Sequence, residues 1–278
     1  MLFRSVKFAE IDSEDFFVFT ETRPTVKFVD GIQRTIVWPS NQFLAYNTPE
    51  LNRDVILFIG VEPQLKWKTF SDTFLEVCKR FNASEVVFMG ALLADVRHSA
   101  IVPITGTSTT TDMVERLHEM DIRNSRYEGP TGIIGVLQDA FRRSHIPSAS
   151  FWAAAPHYLA ATPNIKVTAA LLTYINTFLS FGLDLNDIMS DAVRFEEQIT
   201  ALVARDPEAS AYVRKLEEQI SEDEDEDEEA EPSNLDTVAS SGPLPSADSL
   251  IRGVEELLRK QRENGQSKSQ DDDAEDEE

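Results

Sequence analysis

The stretch that decides the fold class runs from residue 53 to residue 98 and reads RDVILFIGVEPQLKWKTFSDTFLEVCKRFNASEVVFMGALLADVRH. It contains a continuous apolar run of strand length, Val55–Ile59, and a second strand candidate, Glu85–Met89; continuous apolar runs are typical of strands buried on both faces, as parallel strands are. Between them, apolar residues recur at helical spacing from Phe70 to Phe81. A strand, a helix and a strand in this order predict a right-handed crossover unit in a parallel sheet.

The alternation of strand-like and helical segments continues beyond residue 98. Further elements are predicted in turn at residues 100–105 (strand), 110–120 (helix), 131–143 (helix), 148–155 (strand) and 164–181 (helix). Gly182 follows the last of these helices, in the position where a left-handed cap is typical. Alternation of this kind predicts an α/β fold, a three-layer α/β/α domain over residues 1–182.

The first fifty residues show a different sequence pattern. Short β-type pieces occur there at residues 16–19, 26–29 and 35–38. We interpret them as an antiparallel edge or lid of the α/β domain.

From Asp184 onward only helical patterns remain. Two apolar stripes, separated by a new helix start at Asp206-Pro207, predict a helical hairpin over residues 183–220. The remaining segments are an acidic linker, an amphipathic helix and an acidic tail, predicted at residues 221–248, 249–262 and 263–278. The composition of the linker and the tail predicts disorder, because like charges repel and few apolar side chains are present to bury.

The acidic residues are concentrated in two runs. The sequence has 278 residues and a net charge of −23, but Ser221–Glu231 holds nine carboxylates and Asp271–Glu278 holds seven. The rest of the chain has 33 acidic against 26 basic residues, a balance that is ordinary for a globular domain. We therefore do not expect a nucleic-acid partner, because phosphate neutralisation requires a basic surface.

No pattern indicates export or membrane insertion. The first residues lack the unbroken apolar segment of a signal peptide, and the most apolar segment, residues 167–183, is too short and too polar to span a bilayer. The single cysteine, Cys78, cannot form a disulfide within the chain. The sequence therefore predicts a cytoplasmic protein with no membrane partner.

One candidate cleft segment is Gly90-Ala-Leu-Leu-Ala-Asp-Val-Arg-His98, which follows a predicted strand. Asp95 and His98 are expected at the carboxyl edge of the sheet, where open α/β folds bind ligands. They could act as a pair in proton transfer, or Arg97 could help to hold an anion. The alternative is a solvated loop in which Asp95 caps a turn.

A second candidate segment is Tyr127-Glu-Gly-Pro-Thr-Gly132, which continues to Gly135. Its glycines and its proline predict a tight turn at the start of a helix, where free backbone N–H groups can hold an anion. The candidate binding residues here are Glu128, Gly129, Thr131 and Gly132. The spacing matches neither a phosphate loop nor a dinucleotide fingerprint, and close packing of the helix on the sheet explains the pattern equally well.

A third candidate segment contains His157 and Tyr158 at the end of a predicted strand and leads to Asn164 at the start of a helix. These residues would complete a cleft with His98 if their strands are neighbours. The spacings match no metal signature, so we expect no metal. We also expect neither a cofactor nor a catalytic nucleophile, because Cys78 lies on the apolar face of a helix and no G-x-S-x-G elbow occurs.

The predicted helix at residues 249–262 has five apolar residues on one face. They are Leu250, Ile251, Val254, Leu257 and Leu258. This face could bind a groove on a partner protein, fold back on its own domain or pair with a sister subunit. We take the five residues as the predicted partner-binding set.

Several of these segments resemble the motifs of a known family. The motifs are Glu62-Pro63 with Trp67, Gly90–His98, Tyr127–Leu137, Pro156-His-Tyr158 with Thr162-Pro-Asn164, and Asp206–Glu217. They are similar to those of the proteasome assembly chaperone 2 family, and to its actinobacterial branch in particular. The resemblance covers residues 55–220.

This resemblance implies a three-layer α/β/α fold like that of the nucleoside phosphorylases, with a helical C-terminal extension and a tendency to self-associate. The eukaryotic members of the family act without catalysis and help proteasome α-subunits to assemble. They engage the proteasome through a C-terminal hydrophobic–Tyr–any tripeptide, whereas this sequence ends in Asp276-Glu277-Glu278. Arg97 stands where the family form Ala-Asp-Val-Pro-His has Pro.

Together these observations favour a non-catalytic, homo-oligomeric protein of chaperone or adaptor type, whose protein partner the sequence does not name. The alternative is a binding protein or enzyme that holds a phosphate- or nucleoside-type ligand in a phosphorylase-like cleft. Stabilisation of the protein by such a ligand distinguishes the two hypotheses.

Overall fold

The computed structural model describes residues 5–29, 31–46, 51, 53–125, 127–160 and 163–226, and describes residues 217–226 by their backbone alone. The predicted linker beyond residue 226, the helix at 249–262 and the acidic tail lie outside the described residues. The chain forms two compact units. The first comprises Met1–Phe88, Ser108–Val114 and Glu128–Ala149, and the second comprises Met89–Thr107, Glu115–Tyr127 and Ser150–Glu278. The expected domain boundaries at residues 182 and 220 stay predictions.

The described residues contain nine strands. In chain order they are β1 (Val6–Ile11), β2 (Thr25–Val29), β3 (Gln33–Val37), β4 (Asn41–Tyr46), β5 (Val55–Ile59), β6 (Val86–Ala94), β7 (Ile104–Ser108), β8 (Arg123–Asn124) and β9 (Ser148–Pro156). They form a three-stranded sheet in the order β1-β4-β5, a two-stranded sheet of β2 and β3, and a four-stranded sheet in the order β6-β9-β7-β8.

The described residues also contain six α-helices and one short 3-10 helix, His157–Leu159. The α-helices are α1 (Trp67–Arg80), α2 (Thr111–Glu119), α3 (Ile133–Arg143), α4 (Ile165–Phe178), α5 (Asn186–Val203) and α6 (Pro207–Glu226). Within the described part of the chain, no helix combines the length and the apolar character needed to cross a membrane. The fold is therefore mixed α/β, and the three-layer, phosphorylase-like arrangement stays a prediction.

Strand β5 departs from its prediction. The apolar run Val55–Ile59 does form a strand, but the strand pairs antiparallel with β4 at the end of its sheet. Ile56, Leu57 and Ile59 are exposed, so the prediction of a parallel strand buried on both faces was wrong. Because β4 ends at Tyr46, the connection to β5 is too short for a crossover helix, and short connections make consecutive strands antiparallel neighbours. Strand β6 lies in a different sheet, so the predicted crossover unit does not form.

Strands β2 and β3 confirm two of the three β-type pieces predicted near the start of the chain. They pair antiparallel as a hairpin, and every residue of both strands is exposed. The third piece, residues 16–19, is not a strand, because the N–H groups of Phe16 and Phe17 both donate to the Ser13 carbonyl oxygen in a turn. Strands β1 and β4 were not predicted.

Strand β9 confirms the prediction of a buried strand. Only Trp152 of its nine residues escapes full burial, and most of the others are Ser or Ala. Small side chains allow neighbouring elements to approach closely, and Gly106 on β7 is an example. A Cβ atom at Gly106 would lie 2.9 Å from the Ser150 carbonyl oxygen, so this approach requires glycine.

The core of the first unit is built from phenylalanines. The ring centroids of Phe43, Phe58 and Phe74 lie 4.7–5.2 Å apart, in tilted or edge-to-face geometry. Phe141 from α3 lies 5.9 Å from Phe74, and it is fully buried. Such aromatic pairs stabilise a core beyond the burial of their area, and here they join strands β4 and β5 to helices α1 and α3.

The helices of the second unit begin close to their predicted positions, but their ends differ. The side chain of Asn164 caps α4 by accepting a hydrogen bond of 3.1 Å from the Val167 N–H group. The helix ends at Phe178, three residues early, and Gly182 has the predicted left-handed conformation with φ +65°. Helix α6 continues to Glu226, six residues beyond the predicted hairpin.

Candidate functional site

The loop after β6 places His98 inside a hydrogen-bonded cluster in the second unit. His98 is 7% exposed. Its backbone N–H donates to the Tyr158 hydroxyl over 2.7 Å, and its Nδ1 lies 2.8 Å from the same oxygen. Its Nε2 lies 3.1 Å from Thr200 Oγ1, whose own hydrogen goes to the Glu196 carbonyl oxygen. Thr200 therefore accepts from Nε2–H, and in the neutral ring Nδ1 accepts from Tyr158.

Lys166, at the start of α4, fixes the same loop from its other side. The Lys166 ammonium donates to the His98 carbonyl oxygen over 2.7 Å and forms an ion pair of 2.6 Å with Glu196 on α5. The two charged side chains are only 19% and 34% exposed. A partly buried ion pair with an added hydrogen bond holds its groups in fixed positions, so these contacts tie the loop to both α4 and α5.

Asp95 lies at the edge of the cluster and contacts other partners. Its carboxylate accepts a hydrogen bond of 3.0 Å from the Tyr212 hydroxyl and lies 3.9 Å from His157 Nε2. Burial, with the hydrogen bond to Asp95 as a second cause, raises the pKa of Tyr212 to about 12. Tyr212 therefore stays protonated and remains a donor to Asp95 over the whole physiological range.

The space beside the His98 cluster is small. It is lined by Val96, His98, Pro103 and Pro156 together with residues of α4 and α5, and the room it leaves for water is about 10 Å³. That is about the space of one water molecule. The contacts around this space hold the loop in place.

From Glu128 onward the second candidate segment belongs to the first unit. Gly132 precedes α3, and the first N–H group of that helix, from Ile133, donates to Glu62 Oε1 over 2.7 Å. An internal carboxylate thus occupies the position that was expected to hold an anion. Glu128, Gly129 and Thr131 lie exposed in the preceding loop.

Sequence reasoning missed several residues that complete these arrangements. Thr200 and Tyr212 lie about a hundred residues after the loop that they contact, and Glu196 pairs with Lys166; all three are in helices whose polar positions give no distinguishing signal. Glu62 was noticed only as part of a motif. Among the described residues, no three His, Cys, Asp or Glu side chains converge to hold a metal ion.

The hairpin β2–β3 is a candidate protein contact site in the first unit. Alternate residues of paired strands share a face, and Val26 lies opposite Ile36 while Phe28 lies opposite Arg34. We call the apolar part of this surface, Val26, Phe28 and Ile36, the hairpin face; its members are 58%, 61% and 56% exposed. The Arg34 guanidinium lies 5.3 Å from the Phe28 ring centroid.

Comparison with known proteins identifies the family. The family model described as PAC2 matches residues 2–203. The chain belongs to the PAC2 family. A Mycobacterium tuberculosis proteasome-assembly chaperone homologue is 38% identical to this PAC2 chain, covering 76% of it and 88% of its own chain with a TM-score of 0.68. A PAC2 family protein from Streptomyces avermitilis is 34% identical over the same shares, with a TM-score of 0.67. The predicted family and its actinobacterial branch are confirmed.

More distant structures share only the fold with this PAC2 chain. An archaeal proteasome activator from Pyrococcus furiosus is 17% identical, covers 70% of this chain and 81% of its own, and has a TM-score of 0.54. No curated protein matches the chain.

Proposed function

We propose that this PAC2 protein is a non-catalytic, chaperone-like or adaptor protein that acts in the cytoplasm by binding another protein. The observation that carries this proposal is the exposed hairpin face, Val26, Phe28 and Ile36. Contiguous apolar side chains on a surface are typical of protein contact sites. The Mycobacterium tuberculosis relative is described as a proteasome-assembly chaperone homologue, which supports a protein as the ligand.

A partner that covers the hairpin would stabilise it. An isolated two-stranded sheet is only marginally stable in water, and all ten residues of β2 and β3 are exposed. A partner that packs on the hairpin face removes apolar area from water, at about 25 cal/mol per Å². The same contact stabilises the hairpin itself, so partner binding and hairpin formation favour each other.

The His98 cluster supports the non-catalytic part of the proposal. His98 hydrogen-bonds to Tyr158 and to Thr200, and Lys166 bonds to Glu196 and the loop backbone. A general acid or base needs its proton-transfer atom within reach of a substrate, whereas both ring nitrogens of His98 already have protein partners. The cluster therefore fits a structural role.

The five apolar residues predicted for partner binding stay part of the proposal. Leu250, Ile251, Val254, Leu257 and Leu258 would supply a second contact, in which an amphipathic helix enters a groove of the partner. The proposal also includes self-association of the chain, which the family resemblance implies.

The test uses the full chain and purified proteasome α-subunits from the same organism. We expect a complex in native mass spectrometry, and we expect the double substitution Phe28→Asp with Ile36→Asp to weaken it by about tenfold or more. Ile101→Asp is the matched control, because Ile101 is an apolar residue that is 89% exposed elsewhere on the chain.

Two results would contradict the proposal. Equal binding by the hairpin double variant and by the control would show that the hairpin face is not the contact site. A small-molecule adduct on every subunit of protein gently recovered from its own lysate, with no second protein attached, would favour the ligand-binding alternative.

A further inference from the structure

Helix α5 carries an apolar row that is mostly exposed in the described structure. Met189 and Val193 share one face of the helix, and Leu185, the half-buried N-cap residue, precedes Met189 at the same spacing of four residues. Met189 is 46% exposed and Val193 is 58% exposed. Glu197, the next residue at this spacing, is also exposed. We call these four residues the α5 row.

The sequence contains a matching row outside the described residues. In the predicted helix at 249–262, Leu250, Val254 and Leu258 share one face, and Arg262 follows at the same spacing. Each row thus has three apolar residues followed by one charged residue, and the two charges are opposite. Over its length α5 has four acidic residues and one basic residue, whereas the segment 249–262 has four basic residues and two acidic ones.

We propose that the segment 249–262 of this chain packs in parallel on the α5 row, with the two apolar rows in register and Arg262 beside Glu197. Rows of side chains on one helix pack into the grooves of another, and a shallow crossing angle of about 20° keeps several turns in contact. The opposite charges favour the parallel register over the antiparallel one, because only the parallel arrangement brings the two charged ends together.

The length of the intervening chain permits this contact. The residues between α6 and the segment, 227–248, number 22 and span up to about 70 Å when extended. Helix α6 has 20 residues and is about 30 Å long. The segment therefore reaches α5 of its own chain even from the far end of α6.

This inference deepens the proposed function, and its consequence for partner binding rests on that function. The apolar residues that pack on α5 belong to the predicted partner-binding set, so a partner has to displace the segment from the α5 row before it binds them. Docking on α5 is then the resting state, and partner binding is the competing one.

The experiment is disulfide trapping in the full chain. Val193→Cys with Val254→Cys is oxidised mildly, and the disulfide is identified by mass spectrometry of the digest; Cys78 is left in place because it is buried. We expect the disulfide to form about tenfold faster or more than in the control pair Ile101→Cys with Val254→Cys, since docking raises the effective concentration of the two thiols. A mixture of ¹⁵N-labelled and unlabelled chains shows whether the bond forms within one chain.

The charged pair gives a second readout. Glu197→Arg in the trapping variant should slow disulfide formation, and adding Arg262→Glu should restore the rate, because the reversed pair attracts again. Restoration requires the two residues to be neighbours, and a general effect of charge on the chain would not produce it.

Equal rates for the trapping pair and the control pair would overturn the proposal. Disulfides that join labelled to unlabelled chains would also overturn it, and would show that the segment pairs with a sister subunit. Trapping is measured without a partner, so its failure leaves the hairpin contact of the proposed function standing. Loss of α-subunit binding would likewise leave the docking on α5 standing.

Discussion

At the scale of single residues, the Tyr158 hydroxyl is the centre of the His98 cluster, because it serves both the backbone N–H and Nδ1 of His98. Tyr158→Phe leaves two buried polar groups without this partner, and we expect it to lower the free energy of unfolding by about 1–3 kcal/mol. Tyr212→Phe, which removes one bond to the half-exposed Asp95, should cost less than about 1 kcal/mol. Urea denaturation of both variants measures the difference, and equal losses would contradict the central role of Tyr158.

Cys78 gives a prediction for alkaline pH. Burial raises the pKa of its thiol from 9.0 to about 11. Below pH 9 the thiol is protonated in both states, and as the pH rises from 9 towards 11 the thiolate forms first in the unfolded chain, so stability is lost. Compared with Cys78→Ala, the unmodified chain should lose about 2 kcal/mol more of its unfolding free energy over this interval. Parallel pH profiles of the two proteins would show that Cys78 is not buried in this way.

At the scale of elements, the start of helix α3 depends on a charge from outside the helix. The Glu62 carboxylate accepts from the Ile133 N–H at 2.7 Å, where the helix dipole is positive. We expect Glu62→Gln to lower the free energy of unfolding by about 0.3–1 kcal/mol, and we expect high salt to reduce the loss. Glu76→Gln, at an exposed position within α1, is the matched control and should change little. Equal effects from both substitutions would contradict a specific contact with α3.

The elements that could be predicted from sequence are those with strong hydrophobic periodicity or with clear capping residues at their ends. Helices α1, α2 and α3 were found within two or three residues, and α4 began where Asn164 caps it. The partner of a strand was harder to predict. The run Val55–Ile59 fits a buried parallel strand as well as the observed antiparallel edge strand. A run of apolar residues indicates that a segment is hydrophobic, but it does not indicate which strand the segment pairs with. Strand β7 begins at Ile104, near the end of the predicted segment 100–105.

The candidate site could likewise be predicted only in part. The sequence placed His98, His157 and Tyr158 at strand ends, and the structure brings His98 to Tyr158 and His157 near Asp95. The contacts from Thr200, Lys166 and Tyr212 could not be predicted, because they depend on how α4, α5 and α6 pack on the loop. Local sequence determines caps and turns, whereas contacts between distant residues arise only from the packing of whole elements.

At the scale of the whole molecule, a net charge of −23 opposes contact between copies of the chain. If the chains associate through apolar surfaces, salt that screens this repulsion should strengthen the association. The screening length falls from about 30 Å at 0.01 M ionic strength to about 8 Å at 0.15 M. We therefore expect the sedimentation coefficient at a fixed protein concentration to increase over this range. Different monovalent salts at equal ionic strength are the control, since screening depends on ionic strength alone. An oligomer that dissociates as salt is added would instead be held together by ion pairs between its chains.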